Sequence, residues 1–203
     1  MRQNVNVARL VEENRDQAIR LLKQLIAFDS QVIEQGRQGG EGLIQEYIAD
    51  ELRTVGAEVD IFEPDNGRLE KYPDFNPDHD YRGRPNVVGV LKGIGGGRSL
   101  ILNGHADTVS PGDIALWKHH PHSGTITTGE QGITGLGAVD MKGGLAAMLM
   151  AVKIAKGMKL QFKGDIIFQS AVDEEGGGNG TLACVDRGYK ADVALIAEPT
   201  SLK

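Results

Sequence analysis

The chain has 203 residues, 40% apolar and 25% charged, with a formal net charge of -6, the proportions of about one large globular domain and too apolar for a disordered one. Its 28 carboxylates against 22 Lys and Arg argue against nucleic acid or an anionic membrane as the main partner, and its single cysteine excludes a disulfide framework or thiolate metal cluster and fits a reducing, cytoplasmic compartment. The charged start MRQNVNVARLVEENRDQ does not read as a signal peptide, and the longest apolar run, Leu145 to Val152, is too short to span a bilayer.

Ala18, Leu21, Leu22 and Leu25 recur at helical spacing and predict an amphipathic helix that ends near Asp29-Ser30. A second helix is predicted after Gly39-Gly40, with the stripe Ile44, Tyr47, Ile48, Leu52 and Val55 and with Gly56 as its left-handed cap. Glu58 to Phe62 reads as a strand. Pro64 to Pro85 is polar, rich in Pro, Asp and Asn, and without a period, so it reads as a long surface loop. Apolar strands follow at Asn86 to Leu91 and Ser99 to Leu102. A helix from about Lys142 to Lys156 is apolar almost all round and stops at Gly157, the pattern of a helix buried against a sheet. Asp165 to Val172 is the next strand, Gly180 to Arg187 a short helix and Ala191 to Ala197 a final strand. The 28 glycines, about double ordinary usage, suit tight turns between such elements. The alternation predicts an α/β fold, a mixed, largely parallel sheet covered by helices on both faces.

Ligands of open α/β sheets bind outside the carboxyl ends of the strands. Here those ends carry His105-Ala-Asp107, Asp173-Glu174-Glu175 and Glu198-Pro199, while Asp140 sits in the glycine turn before the buried helix. Each has an ordinary reading: a hydrogen-bonded pair, a solvated turn, a helix cap, a strand-ending loop. Together they are better explained by cations, because like-charged clusters converging on one sheet edge repel otherwise. Imidazole and carboxylate donors without thiolates suit a catalytic zinc or a similar divalent ion, and a carboxylate between two ions can bridge them. Nucleotide binding fails on spacing, since Gly135-Leu-Gly137 continues with Ala-Val-Asp140 rather than toward a third glycine.

In order and spacing, Leu102-Asn-Gly-His105-Ala-Asp107-Thr-Val109, Gly137-Ala-Val-Asp140-Met-Lys142-Gly-Gly144, Asp173-Glu174-Glu175-Gly and Ala197-Glu198-Pro199-Thr200 resemble one metallopeptidase family. It includes acetylornithine deacetylase, succinyl-diaminopimelate desuccinylase, aminoacylase and carboxypeptidase G. The resemblance implies that residues 1–203 are the N-terminal part of a zinc-peptidase-like catalytic domain, incomplete at its C-terminus, with the family's lid and dimerisation domain absent. It implies deacylation of an N-acyl amino acid or similar small amide, two Zn2+ per complete site (Co2+ or Mn2+ as substitutes), a homodimeric full-length form, and no nucleic-acid or membrane partner. Residue by residue it places His105 and Glu198 on one zinc, Asp140 between both and Glu175 on the second. Glu174 becomes the general base, and Asp107 the residue that holds the His105 ring. Adjacent glutamates can divide these roles because neighbours on an extended segment diverge. The Asp140-Met141 peptide is expected to be cis.

Three features depart from the family. Leu136 stands where its members usually carry Arg. Trp117-Lys-His-His-Pro-His122 replaces Trp…Asp-Pro-Phe, and His119, His120 and His122 read as surface or pocket wall rather than ligands. No histidine follows His122 to supply the family's last ligand, so the 203 residues alone are expected to be inactive. The competing reading is a non-catalytic fragment or pseudo-enzyme serving in binding or assembly, which metal stoichiometry would separate. Cys184, in a short apolar helix, reads as a small core residue.

Overall fold

Aliphatic and β-branched runs form the strands, and apolar stripes at helical spacing lay helices across them. The computed structural model describes residues 6–33, 38–127 and 132–200. In chain order the elements are α1 (Val7–Glu13), α2 (Arg15–Ala27), β1 (Val32–Ile33), β2 (Gln38–Gly39), α3 (Gly42–Thr54), β3 (Glu58–Phe62), α4 (Asn66–Leu69), β4 (Asn86–Leu91) and β5 (Leu100–His105). Then come β6 (Thr125–Thr127), β7 (Gly132–Thr134), α5 (Lys142–Gly157), β8 (Ile166–Ala171), α6 (Asn179–Asp186) and β9 (Val193–Ile196).

The central sheet has the order β3-β4-β8-β5-β9. β3 and β8 each pair antiparallel with β4, while β5 pairs parallel with β8 and with β9. Only β4 therefore runs against the others, and the expected mixed, largely parallel sheet is present. The hairpins β1-β2 and β6-β7 lie outside it and carry no periodic signal in the sequence.

α2, α3 and α5 cover one face. Leu25, Ile44, Ile48, Leu52, Leu145 and Leu149 pack there with Val87 and Leu91 of β4, Leu102 of β5 and Phe168 of β8. Fully burying each such side chain contributes about 1.5–3 kcal/mol. On the other face Val88 and Ile167 meet Cys184 of α6, which confirms the cysteine as core. β9 is the exception to the expected double covering: Val193, Leu195 and Ile196 are 43%, 46% and 58% exposed.

The first predicted helix is α2. Asn14 parts it from α1, its side-chain amide turned back onto the Leu10 carbonyl at 2.8 Å. Gly56 follows α3 at φ +78°, a left-handed cap that a β-carbon would strain.

The stretch from Pro64 to Pro85 corrects the sequence reading. It contains α4, and it buries Leu69, His79, Tyr81 and Arg84 to 7% exposure or less. Its order comes from partners far away in sequence rather than from any local period.

A candidate metal and catalytic centre

Because β5, β8 and β9 run parallel, their carboxyl ends open at one edge of the sheet. His105 is the last residue of β5 rather than part of the loop after it, and it is 1% exposed. Its Nε2 lies 3.0 Å from Asp140 Oδ1, 3.4 Å from Glu198 Oε1 and 3.8 Å from Glu174 Oε2. His105, Asp140 and Glu175 form one group, and His105, Glu174 and Glu198 a second, each with its donor atoms within 4.8 Å of one another. All four carboxylates expected around His105 are thus brought together with it. Asp140 stands just before α5, and its peptide bond to Met141 is cis, as expected. The Met141 sulfur accepts the His105 amide at 3.2 Å, which fastens this turn to the end of β5.

Asp107 is fully buried behind His105. The ring Nδ1 is 2.9 Å from the Asp107 carbonyl and 3.5 Å from its Oδ1. The same carboxylate accepts the Glu174 amide at 3.2 Å and the Glu175 amide at 2.9 Å. One residue therefore fixes both the imidazole, through its carbonyl, and the two glutamates, through its carboxylate. Those glutamates lie in a turn, not in an extended segment as the sequence reading assumed. Asp173 enters that turn at φ +65°, and its carbonyl accepts the Gly177 and Gly178 amides. The turn aims Glu174 toward Glu198 and Glu175 toward Asp140.

The electrostatics are those of crowded anions. Burial pulls the His105 imidazole down, but its bond to Asp107 and the charges of Asp107, Glu198 and Glu174 outweigh this and push it up to about 10. Burial raises the Glu175 and Glu198 carboxyls, the Asp140 charge raises them further, and His105 opposes. Among the described residues, Asp140, Glu174 and Glu198 have ion pairs with His105 and with no Lys or Arg. A donor set of one imidazole and several unneutralised carboxylates fits a divalent cation of the zinc type.

The three later histidines stay outside both groups. His122 Nδ1 lies 3.2 Å from the Ile26 carbonyl, and its ring stands 5.7 Å from that of His120, which is solvent-exposed. His119 is half-buried. Leu136 is buried.

The sequence reading missed the layer behind the turn. Arg84 donates from Nε and Nη2 to both oxygens of Glu41 and from Nη2 to Asp173 Oδ1 at 3.2 Å. The other Asp173 oxygen meets His79 Nδ1 at 2.6 Å and the Tyr81 hydroxyl at 2.7 Å. Asp173 heading the acidic run, and an arginine and a histidine inside an otherwise ordinary loop composition, were the available signals.

Residues 101–203 match Peptidase family M20/M25/M40. An N-formyl-4-amino-5-aminomethyl-2-methylpyrimidine deformylase of Bacillus subtilis (strain 168) is 38% identical over 194 residues, 95% of this chain and 41% of the relative. A succinyl-diaminopimelate desuccinylase of Methylobacterium nodulans is 41% identical over 128 residues, 59% of this chain and 31% of the relative. Human carnosine dipeptidase 1 shares the fold, with a TM-score of 0.74 at 21% identity, over 93% of this chain and 40% of that one. The chain belongs to peptidase family M20/M25/M40. It spans about two fifths of the length of that deformylase.

Proposed function

We propose that this chain supplies the metal-binding and proton-transferring part of an amide hydrolase that removes a small acyl group from an amine. The observation that carries the proposal is the convergence of Asp140, Glu174, Glu175 and Glu198 on the buried imidazole of His105. The first two relatives support the reaction class, since a deformylase and a desuccinylase each take an acyl group from nitrogen. The deformylase likeness runs through nearly all of this chain, which makes a formamide of an aminomethylpyrimidine the first substrate to assay and an N-succinyl amino acid the second.

In this reading His105 and Glu198 would hold one divalent ion and Glu175 a second, with Asp140 available to both. Zinc bound there would acidify water toward a pKa of ~7 and polarise the amide carbonyl. Glu174 takes a proton at its carboxylate and returns it to the departing nitrogen, a task for which its position beside His105 and Glu198 is suited. Asp107 keeps the His105 ring and both glutamate amides in register. The donor chemistry supports zinc as the ion these residues would hold, with Co2+ or Mn2+ as substitutes.

The test separates the adjacent glutamates. In a full-length form of the enzyme, Glu174→Gln keeps the shape and removes the base, so turnover should fall about 10²-fold or more with metal content near wild type. Glu175→Gln should lower metal content instead. Equal metal loss in the two variants, measured by elemental analysis, would show that the roles are assigned wrongly.

A further inference from the structure

The Glu174-Glu175 turn is held from two sides, and only one of them belongs to the centre described above. On the front, Asp107 accepts both glutamate amides. On the back, Asp173 is fully buried and its carboxylate is bound by three side chains of one segment, His79, Tyr81 and Arg84. The same segment reaches the far end of the turn. Asn76 donates from its side chain to the Gly176 carbonyl at 3.0 Å, and its backbone amide donates to Asn179 Oδ1 at 3.0 Å. Asn179 returns the contact through Nδ2, to the Asn76 carbonyl at 2.6 Å and to the Tyr81 hydroxyl at 2.8 Å. A β-carbon on Gly177 would lie 1.9 Å from Asn76 Nδ2, so strap and turn are in direct apposition.

The strap is itself immobilised. Arg84 is clamped by Glu41 just before α3, donates to the Asp80 carbonyl at 2.9 Å and lies over the Tyr81 ring at 5.4 Å. A buried carboxylate with hydrogen-bonding partners on both oxygens is held in one orientation. Asp173 directly precedes Glu174, and its left-handed backbone sets the direction in which the two glutamates leave β8.

We propose that Asp173, locked by His79, Tyr81 and Arg84, is a positioning residue that sets Glu174 and Glu175 at the metal centre, and that residues 76–84 are its strap. This rests on the reading of Glu174 as base and Glu175 as ligand. Tyr81 is the sensitive point, because its hydroxyl accepts from Asn179 while donating to Asp173. His79 contributes through one ring nitrogen, which the side-chain nitrogen of an asparagine can replace in position.

The experiment uses the full chain in two states. In the metal-free protein, hydrogen exchange is followed at the Glu174 and Glu175 amides and at the Phe168 amide in the centre of the sheet. Tyr81→Phe and His79→Leu should speed exchange at the two glutamates about tenfold or more and leave Phe168 at its wild-type rate. His79→Asn should restore most of the protection. With cobalt bound, Tyr81→Phe should alter the visible absorption of the ion. Wild-type exchange at residues 174 and 175 in both deletion variants would overturn the proposal. So would acceleration that spreads equally to Phe168, since that is the result of general loosening. A wild-type protein that binds no cobalt would refute the proposed function, and the metal-free exchange would still decide the role of the strap.

Discussion

Arg84→Met is the most informative single change to the support of the centre. Methionine keeps the stem's length and apolar packing but removes the charge that two buried carboxylates share. The guanidinium sits 2.6 Å from Glu41 and 3.2 Å from Asp173, and all three side chains are 2% exposed or less. Breaking a buried ion pair by deleting one partner costs about 3–5 kcal/mol, because the remaining charge stays uncompensated. At roughly 2–4 °C per kcal/mol for a chain of this size, the Tm at neutral pH should fall by about 10 °C. The pH dependence has a definite sign. Burial holds the Glu41 carboxyl above its usual range, with Arg84 pulling it back. Without Arg84 it rises further, so the folded variant takes up a proton that the unfolded chain releases. The penalty is then relieved in acid and returns in full as pH climbs through the raised folded value. Thermal melts at pH 5, 6 and 7 should show the gap to wild type narrowing toward acid. Arg84→Met with Glu41→Gln should recover about half of the loss at neutral pH. A loss under about 3 °C, or a gap that widens on acidification, would refute the argument.

Two further outcomes follow from packing. A β-carbon on Gly104 would lie 2.6 Å from Met141 Cε and 3.0 Å from Leu145 Cδ2, so Gly104→Val should cost about 1–3 kcal/mol and displace Met141 beside Asp140; denaturant melts and cobalt titration would read both effects. Burial pushes the Cys184 thiol up to about 12, so a disulfide reagent should label it about 10²-fold more slowly than a free thiol until the protein is unfolded.

The centre was legible because strand exits are. His105, Glu174, Glu175 and Glu198 each follow or end an apolar run that announces itself, and Asp140 precedes a helix apolar on nearly every side. The strap was not legible, for a physical reason. His79, Tyr81 and Arg84 are buried by Asp173 and Glu41, which lie far away along the chain, and polar side chains buried by distant polar partners leave no period. The divergence of Glu174 and Glu175 was anticipated but for the wrong reason, since the segment turns at Asp173 instead of extending. β9 marks a similar boundary. Its apolar residues identify a strand correctly, and composition alone does not tell that Leu195 and Ile196 stay exposed.

The strand order also governs when the centre can exist. β3, β4 and β8 can register as antiparallel neighbours, but β5 joins β8 and β9 only through parallel pairing across long intervening segments. Such pairing begins to stabilise the chain only after the loop entropy has been met, so it belongs to the slow part of folding. His105 and the Glu174-Glu175 turn thus meet only when β5 pairs with β8, and Glu198 joins them when β9 docks on β5. Before that their side chains are scattered in water, each a weak and separate ligand. An ion that needs several of them has little to hold in a half-formed chain, and loading is deferred until the architecture is finished.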